Sequence, residues 1–329
     1  MRPGLIDLAS EAVGGRALVA SDEFFAPKSN LLKSGRGVFL EGKYTSRGHW
    51  MDGWETRRRR TPGFDWCVIQ LGIPGVIRAV TVDTHHFKGN HPQACSLTAA
   101  VLAMSPKPAA LKRAAEQWPE ILARSPLGPD RENEFPVAGD TTATHVRLHI
   151  YPDGGVARFR VWGEARPDWT RLRRRPGPID LAAVQHGGVP LAASDEFFSE
   201  PINLLLPGPS VNMGDGWETR RRRGPGHDWV ILRLGARGTV SEVVVDTAHF
   251  KGNFPESCRL EGCDAPDLEP AAVPDERAAW RELVARTKLR ADRAHRFRAV
   301  GRSGAVTHVR FSIFPDGGVA RLRVLGRPV

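Results

Sequence analysis

The chain has 329 residues, enough for about two domains, and its 47 Lys and Arg against 37 Asp and Glu leave a formal charge of +10 with pI ≈ 10.0. Hydrophobic residues at 41% and charged residues at 26% exclude extended disorder, and 34 Gly with 26 Pro in no period exclude collagen and favour a fold rich in turns. No run of about 18 apolar residues is present, and Met1–Asp7 lacks the apolar stretch of a signal peptide, so a cytoplasmic location with no membrane partner is expected.

In chain order, Ser21-Asp22-Glu23-Phe24-Phe25 reads as a strand entry or cap, with paired acids ahead of an aromatic pair. Trp54 to Arg60 reads as a strand, which puts Glu55, Arg57 and Arg59 on one face and Thr56, Arg58 and Arg60 on the other. Trp66–Gly72 and Val76–Asp83 read as two strands around a Gly/Pro turn. Asp83 to Asn90 then forms a loop, where sites of sandwich folds collect. Ala109 to Ala123 has a helical pattern. Val146, Leu148 and Ile150 alternate with Arg147 and His149, the mark of a half-buried strand. Pro152-Asp153-Gly154-Gly155 is a turn, and Ala157, Phe159 and Val161 return as the second strand of a hairpin. Charge, Pro and Gly concentrate at 167–178, a linker.

After the linker the chain repeats itself. Residues 144–163 and 307–326 agree at 15 of 20 positions at an offset of 163. Residues 51–66 and 214–229 agree at 13 of 16, and 82–92 and 245–255 at 9 of 11, at the same offset. Ser-Asp-Glu-Phe-Phe recurs at 194–198 with an offset of 173, so the first copy carries about ten extra residues somewhere in 33–50. A unit of about 160 residues is a whole domain rather than a solenoid repeat. The expectation is an all-β chain of two tandem β-sandwich domains, 1–166 and 179–329, each with one short helix, the second at Ala278–Ala285.

Ser21–Phe25, Lys43-Tyr44-Thr45, Trp50–Arg58, Asp83–Asn90 and Tyr151–Arg158, in that order and twice over, resemble the allantoicase (allantoate amidinohydrolase) family along nearly the whole chain. The resemblance implies two jelly-roll domains of the galactose-binding-like type and a homo-oligomer. It also implies a hydrolase of purine (allantoin) degradation that converts allantoate and water to ureidoglycolate and urea.

The site follows from that chemistry. Allantoate is a carboxylate whose α-carbon bears two ureido groups. Expelling one urea calls for a general acid, a base for the incoming water, a cation for the carboxylate and polar groups for the ureas. Residues held in both copies are the natural choices. Glu55, Asp83 and His86 with Glu218, Asp246 and His249 are expected to be catalytic. Arg57, Arg59, Lys88 and Asn90 with Arg220, Arg222, Lys251 and Asn253 are expected to bind substrate. His85, His91 and His49 occur in the first copy only, which leaves one site or two open.

No cofactor is expected. His85, His86 and His91 with Asp83 have the right donors for a divalent ion, but adjacent histidines on a strand point opposite ways and the second copy keeps one of the three. Asp153 is a turn residue. Cys95 and Cys258, at matching positions, are small buried residues, and all four cysteines are expected to be free thiols. Two rival classes fit less well. A non-catalytic carbohydrate- or ureide-binding jelly roll would need aromatic platforms, whereas Trp54, Trp66, Trp217 and Trp229 are flanked by charges. A nucleic-acid binder would fit the Arg runs, yet each Trp-Glu-Thr-Arg run starts with an acid and no recognition motif accompanies it.

Overall fold

The structure is a computed structural model and describes residues 2–103, 107–269, 271–274, 278–299 and 304–329. Residues 6–166 form one compact unit; residues 167–329, with the few residues before Ile6, form the other.

The first unit contains β1 (Ile6–Asp7), β2 (Arg16–Ala20), β3 (Tyr44–Thr45), β4 (Gly48–His49), β5 (Trp54–Glu55), β6 (Asp65–Asp83), β7 (Ala94–Ala100), α1 (Pro108–Ala114), β8 (Glu120–Pro126), β9 (Glu132–Pro136), β10 (Thr142–Tyr151), β11 (Gly155–Val156) and β12 (Arg158–Ala165). In the second, α2 (Trp169–Arg173), capped by the Asp168 carboxylate, precedes β13 (Ile179–Asp180), β14 (Val189–Ala193), β15 (Trp217–Glu218), β16 (Asp228–Asp246), β17 (Ser257–Cys263), β18 (Arg281–Lys288), β19 (Ala294–Arg298), β20 (Ala305–Phe314), β21 (Gly318–Val319) and β22 (Arg321–Pro328).

The two strands expected at 66–72 and 76–83 are one strand, β6, shared by two layers. Its first part pairs with β2 and β10, and β7 and β8 extend that layer. Its second part pairs with β9 and β12, and β1 closes that layer. The changeover falls at Gly72–Gly75. A Cβ on Gly72 would stand 2.4 Å from the Val13 carbonyl oxygen, and one on Gly75 2.4 Å from that of Glu164, so only glycine lets the crossing strand pass this close to its neighbours. β16 does the same in the second unit, pairing with β14 and β20 early and with β19 and β22 late.

Because β10 and β12 pair with different parts of β6, the hairpin expected around Pro152–Gly155 does not form; its turn carries the chain from one layer to the other. The expected half-exposure of β10 is also corrected. Arg147 and His149 are 5% and 7% exposed, because α1 covers that face. Leu111 and Ala115 pack on Trp66 and Val68. The Arg147 guanidinium lies 4.5 Å from the Trp66 ring centre and donates to the Ala115 carbonyl.

The helix expected over Ala109–Ala123 stops early. Residues 115–117 tighten into a 3₁₀ turn, Pro119 removes a donor, and Glu120–Pro126 is strand. The matching helix at Ala278–Ala285 is absent. Arg281–Lys288 pairs with β17 as an edge strand, so sheet pairing overrides a helix-forming composition. All four cysteines are free and buried, and burial pushes the Cys95 and Cys258 thiols up to about 12.

Candidate functional site

The repeated motifs meet at one end of each sandwich. In the first unit β5 pairs with β11, Glu55 opposite Gly155, and the Glu55 backbone also exchanges hydrogen bonds with Ala26. The fully buried Trp54 anchors this short strand and donates its indole N–H to the Asp22 carbonyl at 2.8 Å.

After Asp83, the Thr84 hydroxyl turns inward to the Gly128 and Arg131 carbonyls, and the chain reverses through His86 at φ 69°. That turn drives Phe87 into the core beneath Gly155, where a Cβ would stand 2.0 Å from the Phe87 ring. The Gly-Gly pair and the Phe of the preceding motif are therefore two halves of one packing contact. Asn90 follows. Its carbonyl accepts from Gly155 N at 2.8 Å, and its side-chain amide donates to the Glu55 carboxylate at 2.7 Å.

The Glu55 carboxyl is half-buried. Burial pushes its pKa above the ordinary value, against the Asn90 hydrogen bond and the nearby His49, which both pull it down. His49, which has no counterpart in the repeated motifs, lies at the same end of the unit. Its Nδ1 donates to the Trp50 carbonyl at 3.1 Å, so in the neutral imidazole the acceptor is Nε2. Phe39 stacks on His49 at 5.1 Å and on His86 at 5.7 Å between ring centres, and Tyr44 meets His49 edge-on at 4.9 Å. The available signal was its place in the segment that only one copy carries.

Other expected residues fall elsewhere. Arg57 is clamped to Asp22, and burial of Asp22 is outweighed by the hydrogen bonds from the Arg57 backbone and guanidinium, which hold its carboxyl below the usual value. Arg59 pairs with buried Asp65 at 3.0 Å, and its backbone N–H donates to Asp153. Both guanidiniums thus have internal partners, and the chain leaves the expected strand after Glu55. Arg220 and Arg222 repeat this with Asp195 and Asp228.

Arg58 and Arg60 are exposed and make no ion pair among the described residues. Lys88 is exposed, 3.7 Å from Asp130. His86 donates from Nε2 to the Gly37 carbonyl at 3.1 Å and from its backbone to Asp130, so it fastens the loop. Asp83 is buried and accepts from the backbone and Nδ1 of His85. Asp83, His85 and Glu132 bring ligand atoms within 4.8 Å of one another, a set a divalent ion could use, formed without His86 or His91.

The second unit repeats the frame. Glu218 lies opposite Gly318, Asn253 donates to its carboxylate at 2.5 Å, and Phe250 lies under Gly318. His249, at φ 71°, donates to the Ser210 carbonyl at 2.9 Å. Asp246 accepts from Ala248 N, and Lys251 is exposed. Here Met213 stands beside Asn253, 3.8 Å from sulfur to amide nitrogen.

The family model described as the allantoicase repeat matches residues 6–166 and 179–329. The chain is 47% identical over 325 residues to a probable allantoicase of Pseudomonas aeruginosa, covering 98% of this chain and 96% of the relative. It is 45% identical over 322 residues to probable allantoicase 1 of Burkholderia mallei, covering 98% and 94%. The crystal structure of Saccharomyces cerevisiae allantoicase superposes with a TM-score of 0.83 at 35% identity, over 99% of this chain and 94% of that one. Both units match one repeat each and the relatives align nearly end to end, so the chain belongs to the allantoicase family.

Proposed function

We propose that this protein hydrolyses allantoate to ureidoglycolate and urea. The carrying observation is the near full-length kinship to probable allantoicases together with a first-unit site that holds the groups the reaction needs. The Glu55 carboxyl, raised by burial, is the proton donor to the departing urea nitrogen. The lone pair of the remaining ureido nitrogen forms a C=N bond as the C–N bond breaks. Water adds to that carbon, and His49 Nε2 takes its proton. Asn90 orients the carboxyl and a ureido group. Lys88 and Arg58, exposed near these motifs in sequence, supply the charge for the substrate carboxylate.

The Phe39 and Tyr44 rings pack against the His49 imidazole and hold it in place. A carbohydrate-binding role is not favoured, because the relatives that align end to end are named as enzymes. The proposal includes a cytoplasmic, homo-oligomeric enzyme of purine degradation that needs no metal. Purified protein incubated with allantoate should release urea and ureidoglycolate in equal amounts against a boiled control. Chelator-treated protein, which would strip any ion from Asp83–His85–Glu132, should keep its rate. No turnover at any pH or with any added divalent metal overturns the reading.

A further inference from the structure

The two units differ in length between the aromatic pair and the Trp-Glu strand, and the hydrogen bonds bound that difference. Val38 N donates to the Asp52 carboxylate at 3.1 Å, and Val211 N to that of Asp215 at 3.0 Å. Val38 and Val211 are offset by 211 − 38 = 173, and Asp52 and Asp215 by 215 − 52 = 163, so the ten extra residues lie within 39–51, and are 39–48 if the offset of 163 is carried back from Asp52. They carry the β3–β4 hairpin, in which Tyr44 pairs with His49.

This hairpin is fastened to its own unit. Arg47 donates to the Phe24 carbonyl at 2.9 Å, and its guanidinium lies 5.1 Å from the Phe24 ring centre. Gly48 packs against Phe25. Lys43 accepts from Trp50 N at its carbonyl and sets its ammonium 3.9 Å from the Trp50 ring centre. In the second unit the matching aromatic pair is bare, with Phe197 64% and Phe198 61% exposed. At the offset of 163 that holds from Asp52 onward, Asn212 stands where the first unit has His49. Two more groups of the first unit are lost together: His85 becomes Ala248, and Glu132, preceded by the matching Asp130-Arg131 and Asp292-Arg293 pairs, becomes Ala294. What the second unit retains in full is the frame of the Glu218–Asn253 side-chain hydrogen bond, Phe250 packed under Gly318 and the His249 turn, whose ring donates to the Ser210 carbonyl.

We infer that turnover is confined to the first domain, where the inserted hairpin packs on Phe24 and Phe25, the latter donating its backbone N–H to the Glu55 carbonyl, and carries His49 as the acid–base partner of the Glu55 carboxyl, while the Glu218–Asn253 pair of the second domain is structural. The inference rests on the proposed allantoate hydrolysis. A carboxyl alone can give its proton to the leaving urea but must then take another from water. An imidazole with a free Nε2 next to it divides the two tasks between two groups. Asn212 cannot take up a proton, and Met213 beside Asn253 offers none. The hairpin leaves Phe24 38% exposed, against 64% for its counterpart Phe197.

Full-length wild type, E55Q, E218Q, H49N and a variant with residues 39–48 deleted are compared in allantoate turnover, with thermal unfolding as the check on folding. H49N installs the residue of the second copy and keeps an amide donor for the Trp50 carbonyl. E55Q and H49N should each lose about 10²–10⁴-fold in kcat. H49N should also lose one limb of the kcat–pH profile, which a merely structural change would not remove. E218Q should stay within twofold of wild type, and the deletion variant should bind and turn over no allantoate. A drop of half or more in E218Q, or H49N within twofold of wild type with its pH profile intact, overturns the inference. If the deletion variant fails to fold, the three point variants still decide. An inert wild type instead fails the assignment of the reaction and leaves these ratios unmeasurable, so the two failures are told apart.

Discussion

The first and second domains share a frame and differ in what is built on it. In both, a Trp-Glu strand is pinned opposite a Gly-Gly turn, a Phe fills the space under the second glycine, and an Asn reaches back to the Glu. In the first alone, added residues form a hairpin that packs on the aromatic shelf through Arg47 and Gly48. The comparison teaches that repetition inside a chain marks what the fold needs at least as strongly as what the chemistry needs. The doubled arginines illustrate it. Arg57, Arg59, Arg220 and Arg222 recur because each neutralises an aspartate of its own domain.

The largest effect that tests the shared frame concerns Arg158 and Arg321, whose guanidiniums are 3% and 5% exposed and grip Asp52 and Asp215. Removing a buried ion-pair partner costs about 3–5 kcal/mol. Arg158→Ala and Arg321→Ala should therefore each lower stability by that order, read as the urea midpoint. Asp52 is the more buried acid but has Lys33 as a second cation at 3.1 Å, where the second copy has Leu206. The two losses should agree to about 1 kcal/mol, and adding Lys33→Leu to Arg158→Ala should widen the first. Losses under about 1 kcal/mol would show that the frame does not depend on these pairs.

Acid should weaken both domains. Burial holds His149 and His308 down at about 4, and the Nε2 of each is buried without a partner, so a proton added there meets no acceptor. The unfolded chain takes up those protons near 6.5 and the folded chain near 4. Stability is thus full above about pH 6.5 and falls as pH drops from there toward 4, by about 1–3 kcal/mol per histidine after allowance for partial solvent access. Urea midpoints at pH 7.5 and 4.5 measure the loss, and His149→Phe should remove the first domain's share. A midpoint that rises on acidification would contradict this.

Next in size are the glycines over the phenylalanines. A Cβ at Gly155 or Gly318 would meet a Phe ring at 2.0 or 1.9 Å. Overpacking of this kind costs about 1–3 kcal/mol. Gly155→Ala and Gly318→Ala should be equally harmful in thermal melts, and unequal shifts would break the equivalence of the two frames.

The smallest effect separates the aromatic shelves. Phe24 carries Arg47 and Arg57 near its ring, and Phe197 is 64% exposed with Arg220 alone 5.1 Å from its centre. Phe24→Ser should cost about 1–2 kcal/mol, from one or two exposed cation–π contacts and the lost apolar cover. Phe197→Ser should stay within about 1 kcal/mol. The same melts show whether the hairpin is what makes the shelves differ.

Much of the architecture was legible in the residues. The duplication, the β-rich content and the Pro152–Gly155 turn follow from identities at a constant offset and from glycine where φ is positive, here 134° at Gly154. The pairing of the strands was not. Val146–Ile150 and Ala157–Val161 look like the arms of a hairpin because neighbours in sequence usually pair, yet both pair with the long β6, in different layers. The Ala-Ala-Trp-Arg-Glu-Leu run before Val284 has helix-forming residues, and only the unpaired edge of β17 makes Arg281–Lys288 a strand.

By itself, then, the sequence determined the family, the two copies and the residue types that gather at the sandwich end. Those are carried by identity and spacing, which a linear string preserves. Tertiary structure alone decided that Glu55 meets Asn90, that Arg57 and Arg59 are turned to internal aspartates, and that the extra residues form a hairpin fastened to Phe24. The reason is physical: partner choice among charged groups depends on distance and burial, and segments far apart in the chain acquire those only when both layers of the sandwich close.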